Sequence, residues 1–408
     1  MLKTVPTSEL EPGMFIHDLN CSWLKHPFVR SQFLIRRPEE IERIRELDID
    51  QVTIDTERAE AITAKEDRVE AQRQETARLQ AELDAYPTHN EIDERHRHTA
   101  LEQEMRSAHR IQDEANDVIE SVLHDARMGR QIELDQLEPV TGRLIDSVIR
   151  NQNALLSLNR IRSVDRYTFE HSIAVSVLLV AYAHARGMEP QIIRQLGMGG
   201  LLHDIGKTRI PEEILTKPGK LTPEEFTVIQ GHVNHGVDIV RELPDIPQAT
   251  LDVVAQHHER YDGTGYPNGL KGDEISLYGQ MASVVDVYDA ITADRCYHRG
   301  EHPTLVLRKL LEWSKTHFRE EVVHRFIQCV GIYPAGTLVR MESGRLAIVL
   351  DPGEKILYPK VKIFYNTHTE SLIKPVIIDL AHPGFHDDHI ASYEDPGKWD
   401  FPIDRLLE

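Results

Sequence analysis

The sequence predicts a mainly α fold: a helical bundle preceded by a small α/β unit with long helices and followed by a small β unit. Three textures predict it. Residues from about 131 to 330 hold long amphipathic stretches with few strand signals, the first 56 residues alternate strand and helix signals, and beyond Gly331 short apolar runs are separated by Ser-Gly and Pro-Gly turns. At 408 residues the chain exceeds one ordinary domain. The expected division is an N-terminal accessory or regulatory domain with a helical linker (1–130), a helical domain (131–330) and a β-rich C-terminal extension (331–408).

Residues 1–56 read as a mixed unit, with a strand MFIH (14–17), a helix opened by Pro38 and running through EEIERIREL, and a strand QVTI (51–54). It looks like a regulatory or docking module. From 57 to 85 the chain is rich in Ala, Glu, Arg and Gln, and after Pro87 a second run extends from Glu91 to about Met128. Both read as solvated helices. In the second, Leu101, Met105, Ala108, Ala115, Val118 and Val122 keep a heptad-like spacing that Gln112 interrupts. So short and alanine-containing a stripe favours packing within its own domain over the coiled coil of a homodimer. Helices are then expected over 138–158, 169–186, 221–242, 248–258 and 303–329, and strands at TLVRM, RLAIVL and VKIFYN.

Lys and Arg total 47 against 67 Asp and Glu, a net charge of −20. That balance argues against DNA and anionic membrane surfaces as partners, so an anionic substrate needs a local cationic site. The start, MLKTVPTSELEPGM, lacks the pattern of a secretory signal, and no apolar run reaches membrane-spanning length. A cytoplasmic protein without membrane insertion is expected. Cys21, Cys296 and Cys329 lie far apart without CxxC spacing, which suits reduced thiols and disfavours sulfur ligation.

The chemistry-bearing residues fall in the helical region: His171, HDIGK (203–207), His232, the pair His257 and His258, and VVDVYD with Asp286 and Asp289. A lone histidine on an amphipathic helix is more often a satisfied polar residue than a ligand; the grouping is what points to metal. Imidazole with carboxylate suits Fe, Mn, Co, Ni or Zn, and converging helices can each project a ligand into a shared core. Lys207 follows Asp204 by three residues, placing an ammonium beside the same face. Asp204 has two oxygens and can bridge a metal pair, which can hold a hydroxide for attack on phosphorus. The segment HHERYDGTGYPNGLKGDEI (257–275), with Gly263, Gly265, Gly269, Tyr266 and Pro267, reads as an ordered loop forming one wall of the site or a surface for partners. His382, His386 and His389 in the C-terminal stretch read as surface polar residues and stay outside the site.

Together HDIGK, HHERYDGTGYP and DVYDAITADRCY, flanked by YTFEHS (167–172) and IPEEIL (210–215), resemble the HD-GYP subgroup of HD-domain phosphohydrolases over about 140–330. The segment before it resembles an N-terminal accessory domain found ahead of some HD-GYP domains. The resemblance implies an HD-type helical bundle with a two- or three-metal centre that linearises cyclic di-GMP to pGpG and continues to GMP. By motif position it makes His171, His203, Asp204, His232, His257, His258 and Asp286 metal ligands of a divalent pair, with Fe or Mn favoured and Zn, Ni or Co as alternatives. Lys207 and Arg295 match positions that contact substrate phosphate or the hydroxide, and Tyr266 belongs to the loop at the pocket. Tyr167 stands where some members place a glutamate for a third metal, and His298 where some carry a second cation, which leaves phosphate binding to Arg295 and Arg299. Glu212 offers a carboxylate near the HD segment. The rival reading is a receptor that binds cyclic di-GMP, or a diguanylate cyclase (GGDEF) partner through the GYP loop, without turnover.

Overall fold

The computed structural model describes residues 1–20, 32–46, 49–84, 99–159, 167–293, 300–353, 355, 357–382, 388–399, 401 and 403–407, with some side chains within these left out. The chain divides into two units, Met1–Ala77 and Arg78–Glu408.

In the first unit, strands β1 (Leu2–Pro6), β2 (Phe15–Asp18) and β3 (Phe33–Leu34) precede helix α1 (Pro38–Arg45), and strand β4 (Gln51–Asp55) leads into helix α2 (Thr56–Asp84), within which the boundary falls. The antiparallel sheet runs β1-β4-β2-β3. Pro38 opens α1 where its missing N–H costs nothing, and Ile41 and Ile44, one turn apart, reach the core of Val5, Ile16, Ile35, Val52 and Ile54. The expected strands at 14–17 and 51–54 are present with shifted ends; β1 and β3 escaped notice because each carries too few apolar residues to alternate.

The second unit is predominantly helical. Helix α3 (Leu101–Arg127) lies against α4 (Leu134–Leu158), and its buried stripe is Met105, Ala108, Ile111, Ala115, Ile119, Val122 and Ala126. This corrects the expectation of a solvated helix: the spacing follows 3.6 residues per turn, with Ile111 and Ile119 inside, as a helix packed on its own domain requires. Glu104 of α3, almost fully buried, accepts hydrogen bonds from Arg150 Nε at 2.8 Å and Ser147 Oγ at 2.7 Å of α4. Helix α5 (Tyr167–Ala185) is buried on every side from Ile173 to Ala183, which explains why its sequence is apolar throughout rather than striped. The helices that follow are α6 (Pro190–Leu202), a short α7 (Glu212–Leu215), α8 (Pro223–Gln230), α9 (His232–Arg241), α10 (Gln248–Gln256), α11 (Leu277–Thr292), α12 (Pro303–Trp313) and α13 (Glu320–Val330), of which α6, α11 and α13 pack on α5. Two expected helices are pairs: 221–242 breaks at Gly231, and 303–329 breaks where Ser314 closes α12.

Beyond Gly331, whose φ of 77° ends α13, strands β5 (Leu338–Met341), β6 (Arg345–Asp351), β7 (Lys360–Asn366), β8 (Ser371–Asp379) and β9 (Ile390–Tyr393) form an antiparallel sheet ordered β8-β7-β6-β5-β9, followed by α14 (Ile403–Leu407). The expected strands correspond to β5, β6 and β7. Buried residues of this sheet, such as Leu346 and Ile348, belong to the same apolar core as the helices. Among the described residues no helix is long and apolar enough to cross a membrane.

Candidate metal centre

Five helices and a 3₁₀ turn place the candidate ligands. His171 lies one turn inside α5, His203 follows the last residue of α6, and Asp204 opens a 3₁₀ turn over Ile205–Arg209. His232 is the first residue of α9, His257 follows α10, and Asp286 sits within α11. All are buried except His258, which is partly exposed. Two groups form, Asp204, His232, His257 and His258, and His171, His203 and Asp286, with ligand atoms in each within 4.8 Å of one another. Asp204 faces both: Oδ1 lies 3.3 Å from His232 Nε2, and Oδ2 lies 3.4 Å from His203 Nε2 and 3.6 Å from His171 Nε2. His258 Nδ1 is 3.6 Å from Asp286 Oδ2.

Close approach of backbone makes this convergence attainable. A Cβ on Gly206 would lie 1.9 Å from the carbonyl oxygen of His232, and one on Gly200 would lie 2.5 Å from Ser176 Cα. Glycine at 206 therefore lets the turn carrying Asp204 press against the start of α9, which carries His232. Gly206→Ala is expected to force the two apart, lowering bound metal per chain and destabilising the protein by about 1–3 kcal/mol. Metal analysis and thermal unfolding on one preparation check both effects.

The hydrogen-bond network shows that the site fits cations. His232 Nδ1 donates to the Ile229 carbonyl at 2.6 Å and His257 Nδ1 to that of Val254 at 2.9 Å. With those protons placed outward, both neutral rings turn bare Nε2 lone pairs inward, 3.3 Å apart. Asp204 Oδ1, buried, accepts no hydrogen bond among the described residues. Three acceptors facing one another repel unless a cation lies among them. Burial lowers the pKa of His232, burial and neighbouring imidazoles lower His257 far more, and burial takes His258 to about 3, so all three stand deprotonated and ready to ligate at neutral pH.

In the second group, His203 Nδ1 donates to the Gly200 carbonyl at 2.8 Å, while His171 Nε2 faces His203 Nε2 and Asp286 Oδ1, both at 3.2 Å. Burial opposes a charge on His171, yet contacts with Asp286 and Asp289 raise its pKa to about 9. A proton there does the work of a cation among acceptors. Asp204 and Asp286 are held well below the usual carboxylate range against the effect of burial, Asp204 by Lys207 and His203, Asp286 by His171 and His258. Lys207 Nζ lies 2.5 Å from Asp204 Oδ2, with its side chain 29% exposed. The 3₁₀ turn, which eclipses residues three apart, sets that contact.

The loop after His258 is pinned by Glu259, whose buried carboxylate accepts from the N–H groups of Asn268 at 2.8 Å and Leu270 at 2.9 Å. This brings the Tyr266 ring against His258, with centroids 4.6 Å apart. Glu259 and Asp289 had no role assigned from sequence. Asp289 Oδ2 accepts from His171 Nδ1 at 2.7 Å and so orients the ring, and its spacing three residues beyond Asp286 on one helix was the signal available. Arg295, His298 and Arg299 lie outside the described residues, as does the side chain of Tyr167. Glu212 is exposed and belongs to neither ligand group, and Cys329 is buried in α13, its thiol pushed up to about 12 by burial.

A helical bundle enclosing paired His/Asp ligand sets, with an ammonium beside the shared carboxylate, defines a metal-dependent phosphohydrolase of the HD class that uses divalent metal. A family model described as an HD domain matches residues 145–322, and a domain of unknown function, DUF3391, matches residues 2–137. A cyclic di-GMP phosphodiesterase of Pseudomonas aeruginosa is 38% identical over 403 residues, covering 98% of this chain and 94% of that one. A 3'3'-cGAMP-specific phosphodiesterase of Vibrio cholerae is 33% identical over 171 residues, covering 42% of this chain and 33% of its own. Among solved structures, an HDGYP protein from Bdellovibrio bacteriovorus is 18% identical at a TM-score of 0.47, covering 80% of this chain and 98% of that one. The chain belongs to the HD-GYP phosphodiesterase family.

Proposed function

We propose that this chain hydrolyses cyclic di-GMP to pGpG and then to GMP. His171, His203, Asp204, His232, His257, His258 and Asp286 hold two divalent metals, and Lys207, Tyr266 and Arg295 contact substrate. The observation that carries this reading is the buried set of inward-facing acceptors around Asp204, together with near-full-length likeness to a cyclic di-GMP phosphodiesterase. Bound there, divalent cations supply Lewis acidity at the phosphoryl group and lower the pKa of water. The chain's own groups do the rest. Lys207 can exchange its contact with Asp204 for a phosphoryl oxygen, and Asp289 fixes the His171 ring. Tyr266 keeps its hydroxyl proton, since burial and the charges of Asp286 and Asp204 raise its pKa, and so can donate to substrate.

Purified protein supplied with Mn or Fe and assayed for pGpG and GMP tests the proposal, with 3'3'-cGAMP as competitor because the helical half also resembles a phosphodiesterase specific for it. Tight cyclic di-GMP binding without product would establish the receptor reading instead. A ligand set of imidazole and carboxylate without thiolate favours iron or manganese and makes iron oxidation state matter. Anaerobically prepared iron or manganese protein is expected to exceed the zinc form in rate. A zinc form with the highest rate would refute the redox idea while sparing the hydrolase.

We place the enzyme in the cytoplasm, where its substrate class is made, and give the GYP loop a second role as a surface for diguanylate cyclases (GGDEF proteins). A homodimer would need a surface other than the α3 stripe, which packs on α4; light scattering reads the oligomeric state.

A further inference from the structure

Helix α8 has no buried residue, so the core does not hold it in place. Its start is fixed instead by a polar clamp. Thr222 Oγ1 accepts from Glu225 N at 3.3 Å, and the Glu225 carboxylate accepts from Thr222 N and from Lys217 Nζ, each at 2.7 Å. Such a capping box orders the first turn without apolar contacts. The next residue, Phe226, hydrogen-bonds its N–H to the Thr222 carbonyl at 2.9 Å and is itself 47% exposed. A lone exposed phenylalanine is ordinary; the position of this one is not. Its ring centroid is 6.3 Å from that of Tyr266 with planes at 79°, and Tyr266 in turn lies against His258 and 6.4 Å from His232. Two nearly perpendicular aromatic faces thus form a corner beside the candidate ligands, one half-buried and one open to solvent.

We propose that Phe226 and Tyr266 form a stacking subsite for one guanine base of the substrate, with Phe226 as a specificity residue held rigid by the Thr222–Glu225–Lys217 clamp. This rests on the reading of the chain as a cyclic di-GMP phosphodiesterase. A purine offers a wide π face to one ring and an edge to the other, the two favourable aromatic geometries. Base stacking on an exposed aromatic is sequence-tolerant, so the corner selects a base over none and a purine over a pyrimidine, while hydrogen bonding would have to set guanine apart from adenine.

Phe226→Ala is expected to raise KM for cyclic di-GMP roughly 5- to 100-fold, with metal content unchanged and kcat altered far less. Phe226→Trp should restore KM, and Phe226→Leu, apolar but without a π face, should not. Tryptophan fluorescence of Phe226→Trp, corrected for wild type, should be quenched saturably by a non-hydrolysable phosphorothioate analogue of cyclic di-GMP in the metal-loaded protein. An unchanged KM in Phe226→Ala, or full restoration by Phe226→Leu, would overturn the subsite. So would an unchanged KM combined with lost binding of a diguanylate cyclase, which would make Phe226 a docking residue. Wild-type protein that cleaves no cyclic di-GMP would refute the phosphodiesterase reading instead, and saturable quenching would then still support the subsite.

Discussion

Asp204→Ala is expected to abolish hydrolysis and to lower bound metal. Its two oxygens face the two ligand groups, 3.3 Å from His232 Nε2 on one side and 3.4 Å from His203 Nε2 on the other. On the proposed reading, removing them would take the carboxylate shared by both ligand groups from the metals and leave Lys207 without its partner. The first group would keep only the neutral imidazoles of His232, His257 and His258, while Asp286, the remaining carboxylate, belongs to the second. Metal analysis alongside product formation is the measurement, and near-normal turnover with full metal would exclude Asp204 from the centre. His235 serves as the control. It lies one turn beyond His232, half-buried, near Gly231 and outside both ligand groups, so His235→Ala should retain its metal.

Lys207→Ala is expected to separate chemistry from ligation. A charged ammonium cannot ligate a metal but stabilises an anionic phosphoryl oxygen, and loss of one such stabiliser typically slows turnover by about 100- to 1,000-fold. Because the side chain is 29% exposed and, among the described residues, meets the centre in an ion pair with Asp204, metal content should barely change. Single-turnover kinetics and metal analysis on one preparation decide the outcome. Normal metal with wild-type cleavage would mean that Lys207 only extends toward solvent, and lost metal would make its role structural.

Much of this centre was legible in the sequence because ligands of one type recur in a helical context that shows few other reasons for them. His203, Asp204, His257, His258 and Asp286 stand in short motifs, and each of the seven candidate ligands falls into one of two groups in space. The features that stayed hidden depend on backbone. The carbonyls of Ile229, Val254 and Gly200 that set the histidine tautomers carry no residue signature, and the near-contact of Gly206 with His232 cannot be read from a glycine in a turn. Glu259 carries no signal of its own in the sequence, because its partners are the backbone N–H groups of Asn268 and Leu270. In the fold, the α3 stripe was read with Met105, Ala108, Ala115 and Val122 correctly inside but without Ile111, Ile119 and Ala126, and with the partly buried Leu101 and Val118 in their place, and β8 was missed since it is an edge strand whose Leu372, Val376 and Ile377 are all exposed and do not alternate.

The candidate ligands come from α5, the end of α6, α9, the end of α10 and α11, segments spread over more than a hundred residues. Ions that joined them, as proposed above, would act as cross-links of the bundle as well as reagents. Folding is then coupled to metal supply: free metal at 100 times its dissociation constant adds about 2.7 kcal/mol to the stability of the loaded form. That is a large share of a domain's usual margin. Cells short of the native metal would thus lose the protein to proteolysis as well as its activity, and signalling lifetime would follow metal homeostasis through abundance.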